Sequence, residues 1–288
     1  MAAHPLKNAL LIAGPTASGK SALALSEARA RNGVIINADA IQVYRELRIL
    51  SARPTADEEA LAPHRLYGHV AGTGAYSAAR WLNDAKVVID DTLATGRLPV
   101  IVGGTGLYFK ALEQGLADVP PIAPDARERW RNFTGDLHAE LARRDPGAAD
   151  RLNRNDRQRV IRALEVIDGT GRPLSHWQAI AQASAPLAGV AVERRFIDIP
   201  RGELYARAEA RFEHMLAAGA LDEVRPLLGL DPMLPVLKAI GVPELSAYLR
   251  GEISLQEAVA RAKTATRNYI KRQLTWWRGQ GRAWFQTP

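Results

Sequence analysis

The amino-acid sequence predicts an α/β fold, a parallel sheet core flanked by helices with an inserted helical subdomain. Three observations predict it. The loop Gly14-Pro15-Thr16-Ala17-Ser18-Gly19-Lys20-Ser21 matches G-x-x-x-x-G-K-[ST] and sits between an apolar strand and a helix, where that pattern has mechanical meaning. Further apolar runs end in small or polar residues, as parallel strands do where they deliver ligands at their carboxyl ends. Over 112–192 the chain leaves this alternation for arginine-studded helical patterns, then returns to a strand. The expected organisation is a P-loop-containing core of residues 1–111 and 193–288, and a helical insertion of residues 112–192.

The elements follow in order. Ala9-Leu10-Leu11-Ile12-Ala13 reads as a short buried strand, and Ala22-Leu23-Ala24-Leu25-Ser26-Glu27-Ala28 as the helix that the loop opens. Val34-Ile35-Ile36-Asn37-Ala38-Asp39 is a second strand ending in a carboxylate. Residues 77–95 carry Trp81, Leu82, Ala85, Val88, Ile89, Thr92 and Leu93 at helical spacing, with Gly96 as a stop. That period runs through Val87-Val88-Ile89-Asp90-Asp91, so Asp90 and Asp91 are helix charges rather than a metal-binding strand end. Leu98-Pro99-Val100-Ile101-Val102 is a strand ending in Gly103-Gly104-Thr105-Gly106. Pro120, Pro121 and Pro124 break the chain ahead of the insertion. The return strand reads as Arg195-Phe196-Ile197-Asp198-Ile199-Pro200, followed by a helix over 205–216. The tail helix starts at the capping-box pattern Ser254-Leu255-Gln256-Glu257. Leu255, Val259, Ala262, Thr266, Tyr269, Gln273 and Trp277 make one of its faces. Lys263, Arg267 and Lys271 form a cationic ridge on another.

Composition narrows the classes. The 288 residues are 47% hydrophobic, ample for a core, and contain no cysteine, which excludes disulfides, thiolate zinc sites and cysteine nucleophiles. No uninterrupted apolar run approaches ~18 residues, and residues 1–5 carry no signal-peptide pattern, so the expectation is a cytoplasmic protein with no membrane partner. The net charge of +7 comes from 31 arginines and only 7 lysines. After Glu257 there is no acid, while Arg261, Lys263, Arg267, Lys271, Arg272, Arg278 and Arg282 follow, a polarised end suited to a polyanion.

At the predicted site, glycines 14 and 19 let backbone N–H groups converge on phosphate oxygens, Lys20 adds a point charge and the helix N-terminus adds positive potential. Asp39, Thr105 and a cation from the back half should meet this cradle at the strand ends. A kinase needs an acceptor hydroxyl and a base, which Asp39 could supply. A magnesium-binding aspartate on a third strand and an adenine pocket are not evident. An ATP-dependent P-loop small-molecule kinase stays open on these residues.

Longer motifs carry a resemblance. The loop 14–21, Asp39-Ala40-Ile41-Gln42-Val43-Tyr44-Arg45, Gly103-Gly104-Thr105-Gly106-Leu107-Tyr108, Gln158-Arg159-Val160-Ile161-Arg162-Ala163-Leu164-Glu165-Val166, Gly171-Arg172-Pro173, Ala239-Ile240-Gly241 and Thr266-Arg267-Asn268-Tyr269-Ile270-Lys271-Arg272-Gln273 run in order along nearly the whole chain. In this it resembles the tRNA dimethylallyltransferase, or tRNA isopentenyltransferase, family. The resemblance implies that the cradle holds the diphosphate of dimethylallyl diphosphate and that the acceptor is the exocyclic amine of the adenosine 3′ of the anticodon. Asp39 is then the base, Thr105 orients the amine, and Lys20, the loop amides, a Mg2+ ion held through Ser21, and Arg211 stabilise the leaving diphosphate. The implied contacts to the tRNA anticodon stem-loop are Asp39, Ala40, Ile41, Gln42, Thr105, Arg127, Gln158, Arg159, Val160, Ile161, Arg162, Lys238, Arg267 and Lys271, with the enzyme a monomer. Glutamine at 42 has the paired donor and acceptor that can read a base edge. The sequence departs from the family pattern at Ala40, at Leu50-Ser51-Ala52-Arg53-Pro54, at Arg65 and at Val242. His64 reads as structural. A related activity, prenyl transfer to free adenine nucleotide, would need neither the arginine-rich insertion nor the basic tail.

Overall fold

The structure is a computed structural model and describes residues 8–117, 119–182, 185–280 and 284. Residues 1–5, read above for targeting, and Arg282 of the basic tail lie outside the described residues. Five parallel strands, β1 (Asn8–Ala13), β2 (Gly33–Asn37), β3 (His64–Arg65), β4 (Leu98–Gly103) and β5 (Ala191–Phe196), lie in the order β3-β2-β4-β1-β5. β1, β2 and β4 are the inner strands and are buried almost throughout, as a sheet covered on both faces demands. In register, Ala13 lies beside Gly103 and Phe196, and Asn37 beside Val102. The loops after β1, β2 and β4 therefore leave the sheet at one end.

Helices cover the sheet. α1 (Lys20–Ala30) returns into β2 through Gly33, where a Cβ would come within 2.9 Å of both Ala28 Cα and Val100 Cγ2. α2 (Ala56–Leu61) precedes β3. α3 (Ala78–Ala94) starts at Ser77, whose hydroxyl accepts from the Arg80 N–H, and buries Trp81, Ala85, Ile89 and Thr92. Asp90 on its outer face is 2.5 Å from Lys86, a solvated helix charge. The Trp81 indole donates to the Asn37 carbonyl at 2.9 Å and stacks on Tyr108 of α4 (Gly106–Gln114) with ring centres 3.9 Å apart, which fixes the ends of β2 and β4.

The chain forms two compact units: residues up to Lys110 together with those from Gly189 onward, and residues 111–188 between them. The second unit holds α5 (Pro124–Arg131), α6 (Leu137–Arg144), α7 (Pro146–Arg151), α8 (Arg157–Thr170) and α9 (Leu174–Gln182) around Trp130, Leu141, Val160 and Leu164. Many of its arginines are tied off internally: Asp168 accepts from the Trp130 indole at 2.8 Å and pairs with Arg129 and Arg144, while Glu140 takes Arg143 and Arg144.

After β5 the first unit resumes with α10 (Arg201–Ala217), α11 (Ala220–Val224), α12 (Val242–Leu249) and the 25-residue α13 (Leu255–Gly279). Three expectations change here. The return strand lies at 191–196, earlier than 195–200, because its half-exposed, charged face at the sheet edge gives no apolar signature. The box at α13 is half made: Ser254 Oγ accepts from the Glu257 N–H, but the Glu257 carboxylate turns to Arg261 at 2.6 Å. The buried stripe of α13 runs through Ala258, Ala262, Thr266, Ile270, Gln273, Leu274 and Trp277, with Ile270 and Leu274 packed on Leu204 and Ala208 of α10, while Leu255, the first residue of the helix, is 37% exposed.

Candidate active site

The cradle residues 14–21 follow β1. Gly14 is buried, and a Cβ there would meet Ser18 Oγ at 2.7 Å. The turn is closed by Ser18 N–H donating to the Pro15 carbonyl at 3.3 Å, with Ala17 at φ 65° and Gly19 at φ 88° in the left-handed region. Lys20 Nζ donates to the same Pro15 carbonyl at 3.3 Å, so its ammonium folds back over the loop. Ser21 is exposed in the first turn of α1. The Ser18 hydroxyl is buried with no partner, an orphan donor in the cradle of the kind an anion oxygen would satisfy.

The loop after β2 brings in Asp39. The Asn37 side chain clamps it, accepting from the Asp39 N–H at 2.8 Å and donating to the Asp39 carbonyl at 3.0 Å. The Asp39 carboxylate accepts from the Ile41 N–H at 2.9 Å, a local turn that fixes its rotamer. The loop after β4 brings in Thr105, whose Oγ1 accepts from the Ala40 N–H at 3.1 Å. Glycine is required there: a Cβ at Gly103 would lie 2.0 Å from the Ala38 carbonyl oxygen, and one at Gly106 2.1 Å from the Trp276 ring.

The charges converge. Burial depresses the Lys20 ammonium to about 8, while Asp39 pulls it up and Arg211 pushes it down. Burial likewise lowers Arg211, on α10, against the attraction of Asp39. Burial, reinforced by Asp39, raises the Tyr67, Tyr108 and Tyr269 hydroxyls. One carboxylate thus shares a desolvated neighbourhood with two cations and three neutral phenols. Such a site can hold a diphosphate and take a proton from a group bound next to it.

The family model described as IPP transferase matches residues 42–280. The chain belongs to the IPP transferase family. Among curated relatives, a tRNA dimethylallyltransferase of Methylobacterium nodulans is 56% identical over 284 residues, covering 96% of this chain and 93% of that protein. One from a Chelativorans species is 51% identical over 292 residues, covering 98% and 99%. Among solved structures, the tRNA isopentenylpyrophosphate transferase of Bacillus halodurans is 34% identical with a TM-score of 0.68, covering 94% of this chain and 87% of that one. A eukaryotic dimethylallyltransferase acting on tRNA is 28% identical with a TM-score of 0.80, covering 94% and 69%.

The positions expected above to contact RNA differ in exposure. Gln42 cannot offer both halves of its amide for reading a base edge, the role expected above: Nε2 donates to the Ser51 and Ala52 carbonyls at 2.8 and 3.0 Å. Ala40 and Ile41 are half-buried, and Lys238 is exposed at the end of a short helical turn. In the helical unit Arg127, Gln158, Arg159 and Arg162 are exposed, and Ile161 is half-buried. Val160 is 0% exposed, so its side chain belongs to the core of that unit and not to a contact surface: it lies one position on from Arg159 and faces inward. The ridge is partly neutralised. Lys263 pairs with Glu213 at 2.6 Å and Arg267 with Glu209 at 2.5 Å, both from α10, whereas Lys271 is exposed.

Four residues join the site that sequence reasoning left out of it: Gln273, Tyr269, Tyr67 and Tyr108. The Thr105 side chain beside the Tyr269 hydroxyl partly offsets the burial that raises its pKa. Gln273 Oε1 accepts from the Thr16 N–H at 2.9 Å and its hydroxyl at 3.2 Å, and Nε2 donates to the Gly104 carbonyl at 3.1 Å. The sequence signal was a glutamine and a tyrosine inside an otherwise apolar helical stripe. His64 is held by its own backbone, Nδ1 lying 2.9 Å from the Ala62 carbonyl oxygen, as a structural histidine.

Proposed function

We propose that this chain is a tRNA dimethylallyltransferase that moves the dimethylallyl group of dimethylallyl diphosphate to the N6 amine of the adenosine 3′ of the anticodon. The products are N6-dimethylallyladenosine and diphosphate. The observation that carries the reading is that Asp39 shares one electrostatic neighbourhood with Lys20 and Arg211, while the Ala40 N–H links its loop to Thr105. A base thus stands beside two cations suited to a departing diphosphate.

The adenine amine is a poor nucleophile because its lone pair is delocalised into the ring. As its nitrogen bonds to the allylic carbon and the C–O bond breaks, Asp39 takes the amine proton and Thr105 orients the amine. Lys20, Arg211, the cradle amides and the Ser18 hydroxyl receive the charge gathering on the diphosphate. The target base is stacked in the loop and must be flipped out, at a cost of a few kcal/mol. Arg127, Gln158, Arg159, Arg162, Lys238, Arg267 and Lys271 offset this through the RNA backbone.

Among the described residues no group of three His, Cys, Asp or Glu side chains is placed to hold a metal. Mg2+ fits such a cradle, since it keeps most of its waters and rests on one or two protein groups plus substrate phosphates, here the Ser21 hydroxyl. When bound it supplies charge neutralisation at the diphosphate. The enzyme works as a monomer on tRNA in the cytoplasm, and no helix of the described residues is long and apolar enough to cross a membrane.

Incubation with labelled dimethylallyl diphosphate and either unmodified tRNA or AMP decides the acceptor. Label in tRNA alone is expected, and label confined to AMP would replace this reading with an adenylate prenyltransferase. Tight ATP binding with no affinity for dimethylallyl diphosphate would mark a kinase.

A further inference from the structure

Gln273 lies on α13, four residues beyond Tyr269 and three before Trp276, so the three side chains form one strip of the helix. That strip lies along the loop after β4: Tyr269 is beside Thr105, Gln273 bonds Gly104, and the Trp276 ring fills the space a side chain at Gly106 would need. Gln273 alone of the strip also bonds the cradle, at Thr16. Its amide is 6% exposed and spends its acceptor on one loop and its donor on the other. The approach to Gly104 is close enough that a Cβ there would stand 2.3 Å from Gln273 Nε2.

We propose that Gln273 is a positioning residue for the transfer reaction, fixing the distance between the diphosphate cradle and the loop that carries Thr105. The proposal rests on the prenyl-transfer reading. β1 and β4 are neighbours in the sheet, their ladder ends at Ala13 and Gly103, and Gln273 bridges the loops that follow. A single planar amide that bonds both loops sets their spacing, and group transfer is sensitive to displacements of an ångström, which can cost about 10²-fold. The tie also occupies the Thr16 N–H, which donates to Gln273 Oε1.

The test is a double-mutant cycle between Gln273→Met, which keeps the volume and deletes every hydrogen bond, and Thr16→Val. Gln273→Met is expected to lower kcat by about 10- to 100-fold, with KM for tRNA within about twofold and a folded protein by circular dichroism. Affinity for inorganic diphosphate, measured by calorimetry without any acceptor, should fall by about tenfold. Thr16→Val should lower kcat severalfold, and the double variant should be no worse than Gln273→Met alone, since both act through one tie. A wild-type kcat and diphosphate affinity in Gln273→Met would overturn the proposal, as would fully additive losses. If Gln273→Met does not fold, Gln273→Glu, which keeps the acceptor toward Thr16 and loses the donor to the Gly104 carbonyl, carries the decision, and wild-type kcat and diphosphate affinity in it would refute the tie. If wild-type protein fails to prenylate tRNA, the functional reading falls, while the diphosphate measurements still decide whether Gln273 shapes the cradle.

Discussion

The Glu209 carboxylate on α10 lies 2.5 Å from the Arg267 guanidinium on α13. Together with Glu213 and Lys263, one helical turn away, it lends negative charge to a helix whose own last turns contain none. Arg267 and Lys271 are four residues apart but are therefore not equivalent toward a polyanion. Lys271→Ala should weaken tRNA binding and reduce the slope of log K against log salt by about 0.7 to 0.9, one phosphate contact. Arg267→Ala should reduce it by less, and Glu209→Gln should tighten binding. Titrations over a series of salt concentrations measure all three, and equal slopes for Lys271→Ala and wild type would demote the ridge to a solvated face.

Asp39→Ala removes the base but none of the exposed cations. Turnover should fall by about 10²- to 10⁴-fold, the usual worth of a positioned acid or base. Filter binding should find tRNA affinity within a few fold of wild type. Near-normal turnover would exclude Asp39 from proton transfer.

The Lys20 ammonium, held at about 8 in the free site, gives donor binding a pH dependence. Bound diphosphate favours the charged form and raises that pKa, so binding takes up a proton. Affinity is fully present below pH 8 and declines as pH rises through it, by up to about tenfold per unit until the bound-state pKa is passed. Calorimetric Kd values for diphosphate between pH 7 and 9.5 should show this decline in wild type, and Lys20→Met should abolish it. Asp39→Asn should move the decline to lower pH, because Asp39 is the group that holds the lysine proton on.

The cradle, the inner strands and the carboxylate after β2 were legible because each has a local code: a fixed loop pattern, a continuous apolar run, and a polar residue at its carboxyl end. The glycines of 103–106 were legible as a motif, but their reason was not, since it lies in Ala38 and Trp276, distant in sequence. The same holds for charge. The acid-free tail reads as a bare ridge until α10, roughly 50 residues earlier, supplies Glu209 and Glu213. Gln273 read as part of a packing stripe because helical periodicity reports which face is buried and not what a polar side chain on that face meets there.

Backbone contact at Gly103 makes a stability prediction with a built-in control. Gly103→Ala would set a Cβ 2.0 Å from the Ala38 carbonyl oxygen and 2.8 Å from its Cα, and backbone cannot step aside as a flexible side chain can. A loss of at least about 1–3 kcal/mol is expected, the usual range for overpacking. Gly202, in the first turn of α10, has nothing within 4 Å of its Cβ position, so Gly202→Ala should stabilise by about 0.4–1 kcal/mol through helix propensity and a less free unfolded chain. Chemical denaturation of the two variants should give opposite signs.

Within α8, neighbouring positions separate folding from RNA binding. Val160 is fully buried among Trp130, Leu141 and Leu164, while Arg159 and Arg162 are exposed on the same helix. The pair of Arg159 with Asp156 at 3.4 Å is long and solvated and holds little energy, whereas Arg162 lies 3.6 Å from Glu165, which is only 6% exposed. Leu164→Ala should cost about 2–5 kcal/mol through the cavity it leaves, and Val160→Ala less because fewer atoms are removed. Neither should change the salt slope of tRNA binding, since neither removes a charge. Arg159→Ala should do the reverse, leaving stability within about 0.5 kcal/mol while lowering tRNA affinity and flattening its salt dependence; Arg162→Ala should share the RNA defect but also lose stability, because it leaves the buried Glu165 carboxylate without its cation. Denaturation midpoints and salt titrations on the four proteins check this, and an RNA defect in folded Val160→Ala would mean that the inward face of α8, and not its arginines, determines the contact.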